Sequence, residues 1–172
     1  MGHTIVVDEN TVYLSSANAV YAIDAEGGSI VGIKNSGEHD LGVSEFGPPG
    51  LWGRVLYVHG NHRERGEVIL AIDTESANVV WRHVFEGDKG FSLAPAVIGR
   101  VGCFANAFSL IGLDVVTGHR HWMYHADTEI TTSPSLRVDE SQSSIDLVQG
   151  SSGRTPTKLW EKGGGWPQLP VP

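Results

Sequence analysis

GLDVVTGHRHW, residues 112–122, places Leu113 one position before Asp114, Gly118 four positions after it and Trp122 eight positions after it. Residues 71–81, AIDTESANVVW, repeat the arrangement around Asp73, with Ile72 before it, Ala77 in the glycine slot and Trp81 at the end. Residues 22–32, AIDAEGGSIVG, repeat it around Asp24, with Ile23, Gly28 and, in place of the tryptophan, Gly32. A chain that returns to one pattern at a roughly fixed period is built from stacked copies of one supersecondary unit, so the period bears on the fold before any single segment does. The aspartates are 49 and 41 residues apart, close to the length of one four-stranded propeller blade.

The match extends upstream. Residues 5–24 lie under residues 95–114 without a gap, which sets Tyr13 beneath Cys103. In the middle copy Pro49 precedes Asp73 by 24 residues, against 19 between Pro95 and Asp114, and the polar segment HGNHRERG (59–66) is expected to absorb the difference. A fourth copy opens at Pro134 and then loses the pattern. Each copy reads as four short strands rich in β-branched and aromatic residues; in the third they run 93–98, 100–106, 109–115 and 119–125, with turns at Gly99 and Thr117-Gly118. No segment has helical spacing. The expected fold class is all-β: propeller blades, each a four-stranded antiparallel sheet, stacked radially in an incomplete ring. The propeller segment spans residues 1–153, with blades at about 3–37, 44–87 and 92–127 and a partial one at 131–152. Residues 154–172, with three consecutive glycines and a cluster of prolines, are expected to form an irregular tail.

The repeated letters have physical tasks. Asp24, Asp73 and Asp114 can accept hydrogen bonds from backbone N–H groups of the turn that follows, and Gly28 and Gly118 allow a positive φ before the fourth strand. Trp81 and Trp122 are large flat rings suited to filling the gap between one sheet and the next. A position that recurs in every copy is architectural far more often than catalytic, so these residues are assigned to structure.

Composition narrows the partners. The 172 residues carry 12 Lys and Arg against 20 Asp and Glu, a net charge of −8, which argues against nucleic acid. The densest basic stretch, HRERGE (62–67), is broken by glutamates and reads as a solvated hairpin tip. The single cysteine, Cys103, has no partner for an internal disulfide and sits in an apolar run. No apolar run reaches membrane-spanning length, and MGHTIVVDEN lacks the regions of a secretory signal, which leaves the compartment open with the cytoplasm as default.

Chemistry-bearing clusters are few. In HRHWMYH, His119, His121 and His125 are expected on one face of a strand with Met123 between them, and a His-x-His pair can chelate zinc or copper. Their place on an outer strand favours an open sheet face, so no metal site is assigned. No calcium-loop spacing surrounds Asp139, Glu140 or Asp146, no nucleophile elbow surrounds Ser133 or Ser135, and GDKG (87–90) lacks the spacing of a phosphate loop.

The pattern A-[IL]-D-x-x-x-G-x-x-x-W, preceded by a [SA]-P-[AS] strand and a V-Y-type strand, resembles the pyrroloquinoline-quinone (PQQ) type propeller repeat with its tryptophan-docking motif, over about residues 3–150. The departures are Gly32 for Trp, Ala77 for Gly, and loss of the pattern after Gly150. The resemblance implies a ring with more blades than the roughly four that this length supplies. It also implies one of two functions. Scaffold members of the family bind a protein or peptide. Its dehydrogenases oxidise alcohols or sugars with PQQ and calcium on the ring axis. Alcohol dehydrogenases of the family often show adjacent cysteines, a stacking Trp, calcium ligands and an aspartate base; Cys103 stands alone and no stretch matches the rest. A non-catalytic binding or scaffold segment with no cofactor is therefore preferred over a dehydrogenase fragment. The blade count leaves three readings: a piece of a longer protein, a truncated reading frame, or a subunit that completes its ring by association, as two copies joined head to tail with two-fold symmetry would.

Overall fold

Runs such as TVYLS and AVYAID send successive side chains to opposite faces and are joined by short turns, so neighbours in sequence pair as hairpins. The computed structural model describes residues 5–35, 43–62, 66–85, 93–131, 133–138, 143–147 and 157–161. Among the described residues the chain forms fifteen strands and no helix. The first sheet comprises β1 (Ile5–Asp8), β2 (Thr11–Ser15), β3 (Ala19–Asp24) and β4 (Ile30–Asn35), in that order. The second comprises β5 (Val43–Trp52), β6 (Val55–His62), β7 (Gly66–Asp73) and β8 (Val79–Val84). The third comprises β9 (Ala96–Ile98), β10 (Val101–Ala105), β11 (Ser109–Asp114) and β12 (Arg120–His125). A three-stranded fourth sheet holds β13 (Ser135–Val138), β14 (Ser143–Leu147) and β15 (Thr157–Glu161).

All pairings are antiparallel. The first strands of successive sheets touch, β1 with β5, β5 with β9 and β9 with β13. The sheets therefore stand as successive blades of an incomplete β-propeller, with their first strands innermost. Between the first two blades lies a layer that includes Tyr13, Val20, Val43, Leu56, Leu70 and Ile72. Between the second and third lie Tyr57, Ile69, Phe85, Phe104 and Leu113. A third cluster, Val101, Cys103, Ala105, Leu110 and Ile130, covers the other face of the third blade. Strands β6, β7, β10 and β11 are apolar on both faces because each is sandwiched between layers, and each fully buried large side chain contributes about 1.5–3 kcal/mol. The third and fourth strands of the first three blades share one irregularity, a register shift at Ala22/Ile23, Ala71/Ile72 and Gly112/Leu113, just before the repeated aspartate.

Two expectations need correction. The extra residues of the middle copy fall in the expected segment but not as loop alone, since they lengthen β6 and β7 to 8 residues each, against 5 and 6 in β10 and β11. HGNH (59–62) is thus strand, and Glu67, read as part of a solvated tip, is 4% exposed in β7. Nor is the whole stretch 154–172 irregular, because Thr157–Glu161 pairs with β14, with Trp160 opposite Ile145. The glycines and prolines around TKLWE masked a strand whose own residues are ordinary for one.

Candidate functional site

The repeated corner is built alike three times. The N–H of Asp24 donates to the Ser29 carbonyl, that of Asp73 to Asn78 and that of Asp114 to His119, at 2.8, 2.9 and 2.8 Å. The N–H four residues on, from Gly28, Ala77 and Gly118, returns to the aspartate carbonyl at 2.9, 2.9 and 2.8 Å. The carboxylates tie the turn down. Asp114 Oδ1 accepts from the N–H groups of Val116 and Thr117 at 3.0 and 2.9 Å and from the Thr117 hydroxyl at 3.1 Å, while Arg100 donates to Oδ2 at 2.9 Å. Asp73 accepts from the Ser76 N–H and hydroxyl, both at 2.8 Å, and Asp24 from the Gly27 N–H at 2.5 Å. Burial works against the charge of Asp114, but the Thr117 and Val116 bonds and the Arg100 guanidinium outweigh it and hold the carboxyl below its usual value. The Ser76 bonds do the same for Asp73.

Trp81 joins the second blade to the third. Its indole N–H donates to the Val115 carbonyl at 2.9 Å, and the Tyr57 hydroxyl donates to the same oxygen at 3.1 Å. The ring lies edge-on to Phe104, centroids 6.5 Å apart, and tilted against Tyr57 at 5.8 Å. Its face rests on the next blade's corner so closely that a Cβ on Gly118 would come within 2.7 Å of the ring. Gly118 is thus fixed by two requirements, a φ of 73° and the approach of an indole. Trp122, on β12, is half-buried over Gly112 of its own sheet and packs against the third cluster.

The first seam has the same frame without the ring. Tyr13 faces Ala22 across β2 and β3 as Tyr57 faces Ala71 across β6 and β7, and Ala22 stands opposite Gly32 as Ala71 stands opposite Trp81. A Cβ on Gly32 would meet the Ala22 Cβ at 3.5 Å, an ordinary contact. Where the indole would lie there is a cleft of about 180 Å³, lined by Tyr13, Ala22, Gly32, Ile72, Thr74 and Ala77 among others. The two departures from the repeat, Gly32 and Ala77, therefore meet at one seam. With no tryptophan resting on it, the turn position of the second blade tolerates a methyl group at a φ of 55°.

The histidines of β12 are not gathered. His119 lies in the turn before the strand, His121 has Nε2 3.9 Å from Asp114 Oδ2, and His125 Nδ1 is 3.1 Å from the Ser109 hydroxyl. Among the described residues no three His, Cys, Asp or Glu side chains converge as metal ligands would. Cys103 is fully buried, and burial pushes its thiol up to about 12. The pair that sequence reasoning missed is His59 with Glu67, 3.7 Å apart and 0% and 4% exposed in the layer between the second and third blades. The His59 ring stacks near Phe85 at 6.2 Å, and among the described residues neither ring nitrogen has a hydrogen-bond partner. A signal was present: alternation puts His59 on the face of Tyr57, two residues before it.

Four-stranded antiparallel sheets arrayed around an unclosed ring define a partial β-propeller. The chain belongs to the PQQ-like repeat family described as outer membrane protein assembly factor BamB, whose pattern matches residues 16–155. No curated protein is similar enough in sequence to count as a match. Among solved structures, BamB from Moraxella catarrhalis superposes with a TM-score of 0.61 at 18% identity, over 91% of this chain and 48% of that one. The computationally designed Ika4 protein gives 0.66 at 13% identity, over 92% and 91%. The quinohemoprotein alcohol dehydrogenase ADHIIG from Pseudomonas putida HK5 gives 0.62 at 16% identity, over 83% of this chain and 28% of that one. The chain thus spans about half the length of BamB and less than a third of the dehydrogenase, and at these identities the likeness is one of fold.

Proposed function

We propose that this chain is a non-catalytic propeller segment acting as a protein-binding or scaffold module, and that it docks another polypeptide on the outer face of the first blade. The observation that carries this reading is that face. Ile5, Val7, Ile30 and Ile33 are 56%, 58%, 57% and 48% exposed. The register sets them beside Leu14, Val12, Ile23 and Tyr21, so this side of the sheet is apolar except at its Asn35 corner. None of these residues belongs to the core clusters formed by the described residues. An apolar sheet face of this extent favours a covering surface. The family's description as an assembly factor supports the same reading, and the Trp81 contact is read as this chain's tryptophan-docking seat. The first partner to test is a second copy. Light scattering at micromolar concentration should give twice the 18.5 kDa chain mass, and a constant monomer mass would exclude self-association.

The dehydrogenase reading has fold likeness alone. Adding PQQ and calcium to the purified chain is expected to leave both its absorbance and its melting temperature unchanged. A saturable shift in both would overturn the non-catalytic assignment.

A further inference from the structure

The cleft between the first two blades copies a seat whose occupant is visible one seam further on. Tyr13 stands for Tyr57, Ala22 for Ala71 and Ile72 for Leu113. The Thr74 carbonyl stands for that of Val115, since the Thr74 N–H donates to the Arg54 carbonyl as the Val115 N–H donates to Arg100, both at 2.9 Å. The ring is missing, and Ala77 stands where the second seam has Gly118. The volume, about 180 Å³, suits one flat aromatic group, because an apolar cavity of about 150 Å³ takes up benzene. The frame offers apolar walls in Tyr13, Ala22 and Ile72, a polar rim that includes Lys34, Asp73 and Glu75, and a carbonyl where an indole N–H would bond.

We propose that this cleft binds the indole ring of a tryptophan carried by a partner polypeptide. Two features favour a ring delivered from outside over one attached at position 32. First, the methyl of Ala77 stands where Gly118 leaves room, and a ring posed as Trp81 is would collide with it, since a methyl carbon at Gly118 would fall within 2.7 Å of the indole. A ring free to slide outward avoids that collision, whereas one tethered to β4 does not. Second, β4 is the last strand of its sheet, and its outer edge offers backbone groups to an extended segment beside the cleft. In the neighbouring seam the indole likewise enters from a β-strand, β8. The inference depends on the protein-binding reading only for the source of the ring, and it concerns the side of the first blade that faces the second, whose rim the outer-face residue Ile33 also lines.

The test is a titration of the isotopically labelled full chain with indole, and separately with N-acetyl-tryptophanamide, followed by NMR at Ala22 and Ala77. Both probes should bind saturably, and the double variant Gly32→Trp/Ala77→Gly should weaken binding at least tenfold by filling the cleft. Gly32→Leu, which needs no change at position 77, should do the same and guards against a folding failure in the double variant. No saturable shift with indole would overturn the proposal, as would binding that survives both variants. Binding of indole without binding of N-acetyl-tryptophanamide would overturn the polypeptide source. Each of these results leaves the mass measurement on the outer face unaffected, so the two readings fail separately.

Discussion

Ala77 and Gly118 occupy one turn position with φ of 55° and 73°, yet only the second carries an indole on its face. Left-handed backbone costs a non-glycine residue about 1–2 kcal/mol, part of which glycine returns through its freer unfolded chain. Ala77→Gly is therefore expected to stabilise the chain by about 0.5–1 kcal/mol. Gly118→Ala should destabilise it by about 2–3 kcal/mol, because strain and a clash with Trp81 add. Urea unfolding midpoints check both signs. The pairing of Gly32 with Ala77 was legible as two separate departures from a repeat, but their meeting at one seam needed the blade order, which single-copy spacing does not give. His59 and Glu67 were hidden for a different reason: a polar run reads as surface unless the partner strand is known. Replacing His59 alone with Leu leaves Glu67 buried beside an apolar group and is expected to cost roughly 1–3 kcal/mol. A double-mutant cycle with Glu67→Leu should show the two costs to be non-additive, since the side chains are in contact.

At the scale of strands and turns, titration ties the corners to the seams. His83 on β8 is held below its usual value by burial; a hydrogen bond with the Gly118 backbone opposes this and the Arg120 charge adds to it. The folded chain then binds this proton less readily than the unfolded one. Stability from His83 is complete above its unfolded pKa, about 6.5, and is lost as the pH falls below it. Asp73 and Asp114 are also lowered, so their contribution is complete above about pH 4 and is lost on further acidification. Urea midpoints measured from pH 8 to pH 3 should fall in two limbs, with His83→Gln removing the upper and Asp114→Asn shrinking the lower. The strands themselves were largely readable, since those expected at 100–106, 109–115 and 119–125 formed as β10, β11 and β12 within a residue or so at each end. The lengthened β6 and β7 and the strand at 157–161 were not, because polar residues and flanking glycines imitate loops when no pairing partner is in view.

For the whole molecule, the repeat count fixed the architecture while leaving the interaction surface to the structure. That the first blade would carry an uncovered apolar face follows from an open ring, but the residues on it become clear only once the register separates Ile5 and Ile33 from Val6 and Ala22. If that face joins two copies, Ile5→Asp with Ile33→Asp should convert the dimer to a monomer without lowering the melting temperature of the remaining blades. Equal dimer mass in the variant would move the interface elsewhere. Blades two and three are clamped by an indole driven between them, whereas blades one and two meet without such a wedge. Under heat or tension the molecule should loosen along that line first, with the leading blade swinging away like a leaf on a hinge while its neighbours keep their grip.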